Sequence, residues 1–220
     1  MQIGVSLSIL PAKFDPSEST PLYLVVTARI LDSPRPDRPI TLDTWLNPFH
    51  CLRSRCFKNI KCVSGEAEQP PKSIKVWPKF HFPKYGLRGL DIREGGGFVT
   101  LEPNKTFEIR HEVPQDEIAA AVLVAGEVYK AEMTDLGLGT RWWMYGTMDE
   151  AGDKKFMRWS PRGVEGLRRY QLDNVDTLGE PREDLIWEDS SEWIMGEDPM
   201  KLALVIEKGE AEFEIIYNDV

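Results

Sequence analysis

The stretch "MQIGVSLSIL", residues 1–10, decides the fold class of this chain. Apolar side chains occupy every second position from Ile3 to Ile9, and glycine and serine hold the positions between them. Because successive side chains of a β-strand point to opposite faces, this alternation is typical of a strand with one buried face. We therefore expect the chain to begin with a half-buried β-strand.

The same alternation returns in "LYLVVTARI", residues 22–30, where every second residue from Leu22 to Ile30 is apolar. We expect this strand to pair with the first one in a single sheet. The proline-rich stretch "DSPRPDRP", residues 32–39, lacks the amide donors for a regular ladder and is predicted to be a loop. Extended structure is predicted to resume in "ITLDTWLNPF", residues 40–49, with Trp45 in the core.

Two β-hairpins are predicted further along the chain. In "FVTLEPNKTFEIRHEV", residues 98–113, two alternating segments flank the turn "EPNK". In "KLALVIEKGEAEFEIIY", residues 201–217, two more flank Lys208 and Gly209. Alternating segments joined by short polar turns are typical of hairpins, so each pair is predicted to be antiparallel neighbours.

Short strands joined by turns, with strands at both ends, predict a mainly β fold, specifically an antiparallel immunoglobulin-like β-sandwich formed by residues 1–220 as one domain. We expect less than about a fifth of the chain to be helical, including a short helical turn in "PQDEIAAAVLVAG", residues 114–126. Residues 152–200 break the pattern with many charges and a possible helix at "GVEGLRRYQL". They are interpreted as a long irregular insertion, or lid, before the final hairpin.

The composition argues against several functional classes. The formal net charge of -9 disfavours nucleic-acid binding and docking on anionic membranes, since both need a basic face. Two local basic groups, Arg53, Arg55, Lys58 and Lys61, and Arg162, Arg168 and Arg169, are interpreted as solvated faces rather than anion sites. No apolar run is long enough to span a membrane, and the first residues lack a secretory signal pattern, so we predict a cytoplasmic protein.

The residues that bind metals or phosphates elsewhere are poorly placed here. His50, Cys51, Cys56 and Cys62 are the nearest approach to a zinc tetrad, but their spacing does not suit zinc, and free thiols are the better interpretation. The glycine run at 95–97 precedes a strand rather than a helix, so it does not resemble a phosphate loop. His111 lies among apolar positions and is interpreted as a hydrogen-bonded structural histidine. No metal and no cofactor are predicted.

Adjacent tryptophans in "RWWMYGTMDE", residues 141–150, are the most distinctive local feature. Alternation directs Trp142 and Met144 to one face of a strand and Trp143 and Tyr145 to the other. One tryptophan is therefore expected in the core and the other at a second interface with the insertion, a ligand or a partner. We favour packing by the insertion.

Three stretches, "FDPSESTPLYLVVTARI", "PITLDTWLNPF" and "RWWMYGTMDE", resemble a group of uncharacterised intracellular fungal proteins with an immunoglobulin-like β-sandwich. The first two are also weakly similar to the β-sandwich segments that accompany deuterolysin-type metallopeptidases. The positions that match the second stretch are Pro39, Ile40, Thr41, Trp45, Pro48 and Phe49. The resemblance implies a fold and not peptidase activity, because the chain contains no H-E-x-x-H motif.

Two functions remain open. The first is a non-enzymatic module that binds a small apolar molecule or a protein partner on an aromatic surface. The second is a cofactor-free isomerase, cyclase or dehydratase that acts on an apolar metabolite of fungal secondary metabolism, in a pocket closed by the insertion. The candidate binding residues are His81, Arg141, Trp142, Trp143 and Tyr145. Carbohydrate binding by exposed aromatic rings is a third hypothesis.

Overall fold

A computed structural model of the protein describes residues 1–45, 47–50, 52, 55–64, 72–76, 91–93, 97–161 and 192–217. Of these residues, 43% lie in strands and 9% in helices, so the prediction of a mainly β fold is confirmed. Within the described ranges, no helix has the length and apolar character needed to cross a membrane.

Fourteen strands and three short helices follow one another along the described chain. The strands are β1 (Gln2–Leu10), β2 (Lys13–Phe14), β3 (Tyr23–Asp32), β4 (Ile40–Asp43), β5 (Ile60–Cys62), β6 (Ser73–Ile74), β7 (Phe98–Leu101), β8 (Phe107–Glu112), β9 (Val128–Glu132), β10 (Trp143–Tyr145), β11 (Lys155–Met157), β12 (Trp193–Met195), β13 (Ala203–Lys208) and β14 (Glu210–Ile215). The helices are α1 (Gln115–Ala120), α2 (Met148–Ala151) and a 3₁₀ turn (Pro199–Lys201).

These strands form three open sheets and one separate pair. The first sheet has the order β13-β1-β3-β8, the second β2-β14-β9-β5-β6 and the third β10-β4-β7, and β11 pairs with β12. β1 and β3 are antiparallel neighbours, as predicted. Three ladders, β1 with β13, β2 with β14 and β11 with β12, are parallel. The first and second sheets are therefore mixed rather than purely antiparallel.

The main apolar core combines side chains from the first, second and third sheets. Ile3, Val5 and Leu7 of β1 are buried in the same cluster as Ala131 of β9 and Phe213 of β14. Burying a side chain of this size contributes roughly 1.5–3 kcal/mol to folding. The alternation in the first ten residues thus predicted the buried face of β1 correctly.

The predicted terminal hairpin is wrong, because β13 and β14 lie in different sheets. β13 pairs with β1, whereas β14 pairs with β9. Only Gly209 separates the two strands, and its carbonyl accepts a hydrogen bond of 2.7 Å from the amide of Met133. That bond ties the crossing point to the end of β9, so the chain leaves one sheet and enters the other without a hairpin turn.

The predicted hairpin at residues 98–113 is wrong for the same reason. β7 pairs with β4 in the third sheet, and β8 pairs with β3 in the first. The turn between them does form, since the amide of Lys105 donates to the carbonyl of Glu102 at 3.3 Å and Asn104 has a positive φ of 59°. The turn therefore redirects the chain between sheets.

Residues 152–200 contain more regular structure than predicted. β11 and β12 lie near the two ends of this segment and pair with each other. They contribute to a second apolar cluster that contains Ile92, Trp142, Met144, Ala151 and Phe156. The predicted helix at residues 163–172 lies outside the described residues. The predicted helical turn at residues 114–126 is present as α1, which ends well before Gly126.

Candidate functional site

Trp142, the first residue of the aromatic pair, is completely buried in the second cluster. Its ring stacks on Phe156 of β11 with a centroid distance of 4.3 Å and an interplanar angle of 14°. Its indole Nε1 donates a hydrogen bond of 3.0 Å to the carbonyl of Met157. Phe98 packs edge-on against the same ring. The ring is therefore fully occupied by contacts within the chain.

Trp143 points the opposite way, into the main core, and is only 3% exposed. Its Nε1 donates to the carbonyl of Asp198 at 2.9 Å, and its ring packs edge-on against Tyr145. Tyr145 is half-buried, with the guanidinium of Arg35 lying 4.7 Å from its ring centroid. The alternation predicted these directions correctly.

Residues 196–198 hold both tryptophans in place. A Cβ added to Gly196 would lie 2.2 Å from Cδ1 of Trp142, so only glycine fits against that ring. The amide of Glu197 donates to the carbonyl of Trp143 at 2.8 Å, and Asp198 accepts the indole hydrogen bond. The insertion therefore packs against both rings, which answers the question that the aromatic pair raises.

Arg141 is held in an ion pair rather than aimed at a cavity. Its Nε lies 2.6 Å from Oδ2 of Asp43, a carboxylate that is completely buried. Its guanidinium also lies 5.2 Å from the ring centroid of Trp45. Trp45 is half-buried beside β4, so the prediction of a core position for it is wrong. His81 lies outside the described residues.

A groove on the described surface lies elsewhere and is lined by none of Arg141, Trp142, Trp143 and Tyr145. It has a volume of about 520 Å³ and is open to solvent. Cationic, polar and apolar side chains share its wall. We call it the basic groove and define it by Arg55, Phe57, Lys58, Asn59, Lys61, Lys75, Thr134 and Leu136.

Three separate segments bring these residues together. Lys61 lies on β5, and Lys75 directly follows β6, the antiparallel neighbour of β5. Thr134 lies just beyond β9, where its amide donates to the carbonyl of Cys56 at 2.7 Å. Phe57 forms an isolated bridge with Met133 in the same region. The groove therefore sits where the ends of β5, β6 and β9 meet.

Its cations are incompletely neutralised. Lys58 forms an ion pair with Glu132 at 3.3 Å. Within the described parts of the chain, Arg55, Lys61 and Lys75 form no ion pair. Lys61 also lies directly opposite Lys130 of β9, a like-charge arrangement that disfavours pairing of the strands.

The neighbouring Lys130 does not compete for a ligand of the groove. Its Nζ lies 3.2 Å from Glu210, and this hydrogen bond raises the pKa of the lysine above its ordinary value. Its charge is thus largely matched by β14. Lys61 keeps an unmatched charge at the groove.

Thr134 adds an unusual polar group. Its hydroxyl oxygen is buried and has no hydrogen-bond partner, the only such side-chain atom among the described residues. Buried hydroxyls nearly always have partners, because an unpaired one loses its hydration without compensation. This hydroxyl is therefore an unpaired polar group of the fold beside the groove, and it has no exposed surface for a ligand to contact.

A second, smaller groove of about 250 Å³ on the first sheet lacks free charge. Its Arg29 is paired with Glu207 through two hydrogen bonds. This contact raises the pKa of Arg29 and lowers that of Glu207. The two charges satisfy each other, so this groove offers a ligand little electrostatic attraction.

Metal-ligating side chains are not gathered in the described part of the chain, where no group of three or more His, Cys, Asp or Glu side chains is placed to hold an ion. Cys56 is buried and Cys62 is half-buried, and neither forms a disulfide among the described residues. Cys51 lies outside the described residues. His111 is buried, with its Nε2 2.7 Å from the carbonyl of Pro48. His111 therefore has the structural hydrogen bond that was predicted. The absence of a metal stays a prediction.

Part of the groove is formed by a basic group that is visible in the sequence but was not predicted to be a binding site. Arg55, Lys58 and Lys61 belong to the group interpreted as a solvated face, and Arg53 of that group lies outside the described residues. No sequence pattern indicated that Lys75, Thr134 and Leu136 belong to a site. They lie up to about 80 residues along the chain from Arg55, and only strand pairing makes them its neighbours.

No protein-family model, curated protein or solved structure matches this chain. The resemblance to fungal sandwich proteins and to the segments that accompany deuterolysin-type peptidases therefore stays a prediction. The basic groove is therefore the feature that bears on function.

Proposed function

We propose that the protein is a non-enzymatic module that binds a small organic molecule in the basic groove. The observation that carries the proposal is the groove's volume of about 520 Å³, which lies within the range of about 300–1,000 Å³ typical of small-molecule sites. The exposed side chain of Leu136 supplies apolar contact area, and the exposed amide of Asn59 supplies a polar group.

We further propose that the scaffold is an immunoglobulin-like sandwich. The order β1-β3-β8 in the first sheet corresponds to strands A, B and E of that fold. The order β5-β9-β14 in the second corresponds to strands C, F and G. On this assignment the third sheet and the β11–β12 pair are additions to the connections between the sandwich strands.

The open shape of the groove favours binding over catalysis. Enzymes that form reactive intermediates without a cofactor gain from closing the site against water. The basic groove is open to solvent, and Arg141 is engaged with Asp43 instead of facing a cavity. The isomerase, cyclase or dehydratase hypothesis therefore gains no support from the described residues. The burial of Trp142 and Trp143 likewise gives none to carbohydrate binding by those rings.

A fluorescence titration with the neutral probe N-phenylnaphthylamine tests the proposal. We expect saturable binding at one site per chain. Leu136, which is 67% exposed, should be replaceable by serine without loss of the fold, and Leu136→Ser should weaken binding by removing apolar contact area.

Met200→Ser is the matched control, since Met200 is 90% exposed and lies outside the groove. It should leave the affinity unchanged. Absence of saturable binding, or equal weakening by the two substitutions, would contradict the proposal.

A further inference from the structure

We propose that the ligand of the basic groove is an organic anion, with a carboxylate, sulfate or phosphate group attached to an apolar body. This inference rests on the proposed function and specifies the chemistry of its ligand. Its basis is the combination of unpaired cations and an apolar wall in one groove.

Positive charge is concentrated in the lining of the basic groove. The chain has a net charge of -9, yet the groove lining includes four cations and no carboxylate. Charges separated by more than about 8–10 Å are largely screened at physiological ionic strength, so the nearby cations dominate the field that a bound ligand experiences. An anionic group in the groove therefore meets a locally positive surface on an acidic protein.

Three of these cations have no acidic partner. No described acid pairs with Lys61, Lys75 or Arg55. A bound anion would supply the missing counter-charge. It would also accept hydrogen bonds from the lysine and guanidinium groups, which are stronger than those between neutral groups.

Asn59 adds a neutral donor beside the cations. Its side-chain oxygen accepts a hydrogen bond from the amide of Val76 at 3.4 Å, and its NH₂ group bonds to no described residue. The polar side chains of the groove therefore offer donors, which suits a ligand rich in acceptors.

The apolar wall decides between a free inorganic ion and an organic anion. Leu136 and the aliphatic stems of the lysines make most of the groove's surface apolar. Such a surface gains nothing from a hydrated inorganic ion, whereas it gains from burying the hydrocarbon part of an organic anion.

A pair of matched probes tests the inference. Anilinonaphthalene sulfonate has the same aromatic body as N-phenylnaphthylamine with a sulfonate group added. We expect the anionic probe to bind at least about tenfold more tightly. Raising the salt from about 0.1 M to about 1 M, which shortens the Debye length from about 10 Å to about 3 Å, should remove much of that preference and leave the neutral probe's affinity nearly unchanged.

Charge variants locate the preference. The double substitution Lys61→Gln and Lys75→Gln should weaken the anionic probe by about threefold or more without affecting the neutral one. The matched control is Lys154→Gln with Lys201→Gln, two exposed lysines outside the groove, which should change neither affinity. Glu132→Gln should tighten the anionic probe by about twofold to threefold, because it frees the charge of Lys58.

The outcomes of the probe pair are distinct. Equal affinities for the two probes, with the loss on Leu136→Ser retained, would overturn the anion inference and leave the proposed function standing. Binding of neither probe would overturn both. A preference for the anionic probe that survives Lys61→Gln with Lys75→Gln would place the anion elsewhere and contradict the assignment of this groove.

Discussion

Trp142 and Trp143 are adjacent in the chain but stabilise two different clusters. Trp142 belongs to the second cluster with Phe156, and Trp143 belongs to the main core. Both are almost completely buried, and both indole groups donate to backbone carbonyls. Truncating either ring is therefore expected to cost stability.

We predict that Trp142→Ala and Trp143→Ala each lower the free energy of unfolding by about 3–5 kcal/mol, because each leaves a large cavity and removes a buried hydrogen bond. Urea denaturation of the two variants measures this. Tyr145→Phe is a suitable control, since it keeps the ring that packs on Trp143. A loss below about 1 kcal/mol for either alanine variant would show that the ring is not packed as described.

His111 should make stability depend on pH. Burial lowers its pKa below the ordinary 6.5, and the hydrogen bond to Pro48 offsets this only in part. The unfolded chain therefore binds a proton more readily than the folded one, so stability is fully present above about pH 6.5 and is lost as the pH falls from there towards the folded pKa.

We predict that the melting temperature falls between pH 7.5 and pH 5.5, and that His111→Gln reduces this fall. Glutamine keeps a donor for the carbonyl of Pro48 but does not titrate. Thermal denaturation across that pH range measures both proteins. An identical pH dependence for the two would assign the effect to groups other than His111.

Among the elements, the segment that carries β12 packs closely against Trp142 through its backbone. Gly196 follows β12 and lies against the ring of Trp142, which is itself stacked on Phe156. A ring confined on both sides cannot move aside for an added methyl group. The position therefore requires glycine for lack of space, and not for its backbone angles.

We predict that Gly196→Ala lowers the free energy of unfolding by about 1–3 kcal/mol through overpacking. Gly139→Ala is the matched control, because a Cβ added there meets no atom within 4 Å. Denaturant unfolding monitored by tryptophan fluorescence follows both variants. If the two substitutions cost the same, the approach of the backbone to Trp142 is not as close as described.

The pairing of elements shows where local patterns lose their power. Alternation correctly predicted which residues of β13 and β14 are buried, since side-chain direction follows from the strand backbone alone. The alternation gave no information about which strands pair. β13 pairs with β1 and β14 pairs with β9, because strand order depends on packing between distant segments.

At the scale of the whole molecule, strands are more abundant than helices among the described residues. Helices make up 9% of the described residues, and the complete chain should remain below about a fifth helical. Far-ultraviolet circular dichroism of the full chain checks this expectation. A helix-dominated spectrum would contradict a mainly β protein.

Some properties of this protein follow from its sequence alone. The faces of β1 and β3, the mainly β character and the opposed directions of Trp142 and Trp143 all depend on the two-residue period of a strand. That period is a local property of the backbone, so a single stretch of chain reveals it. The structural hydrogen bond of His111 was accessible for the same reason, from its place in an alternating segment.

The tertiary structure decided the rest. The crossings at Gly209 and between β7 and β8, the partition into two clusters and the basic groove all arise from contacts between segments far apart in sequence. Lys61, Lys75 and Thr134 meet only because β5 pairs with β6 and with β9. Backbone hydrogen bonds form equally well between many strand pairs, so the choice among them rests on how the complete core packs, and the groove exists only once that choice is made.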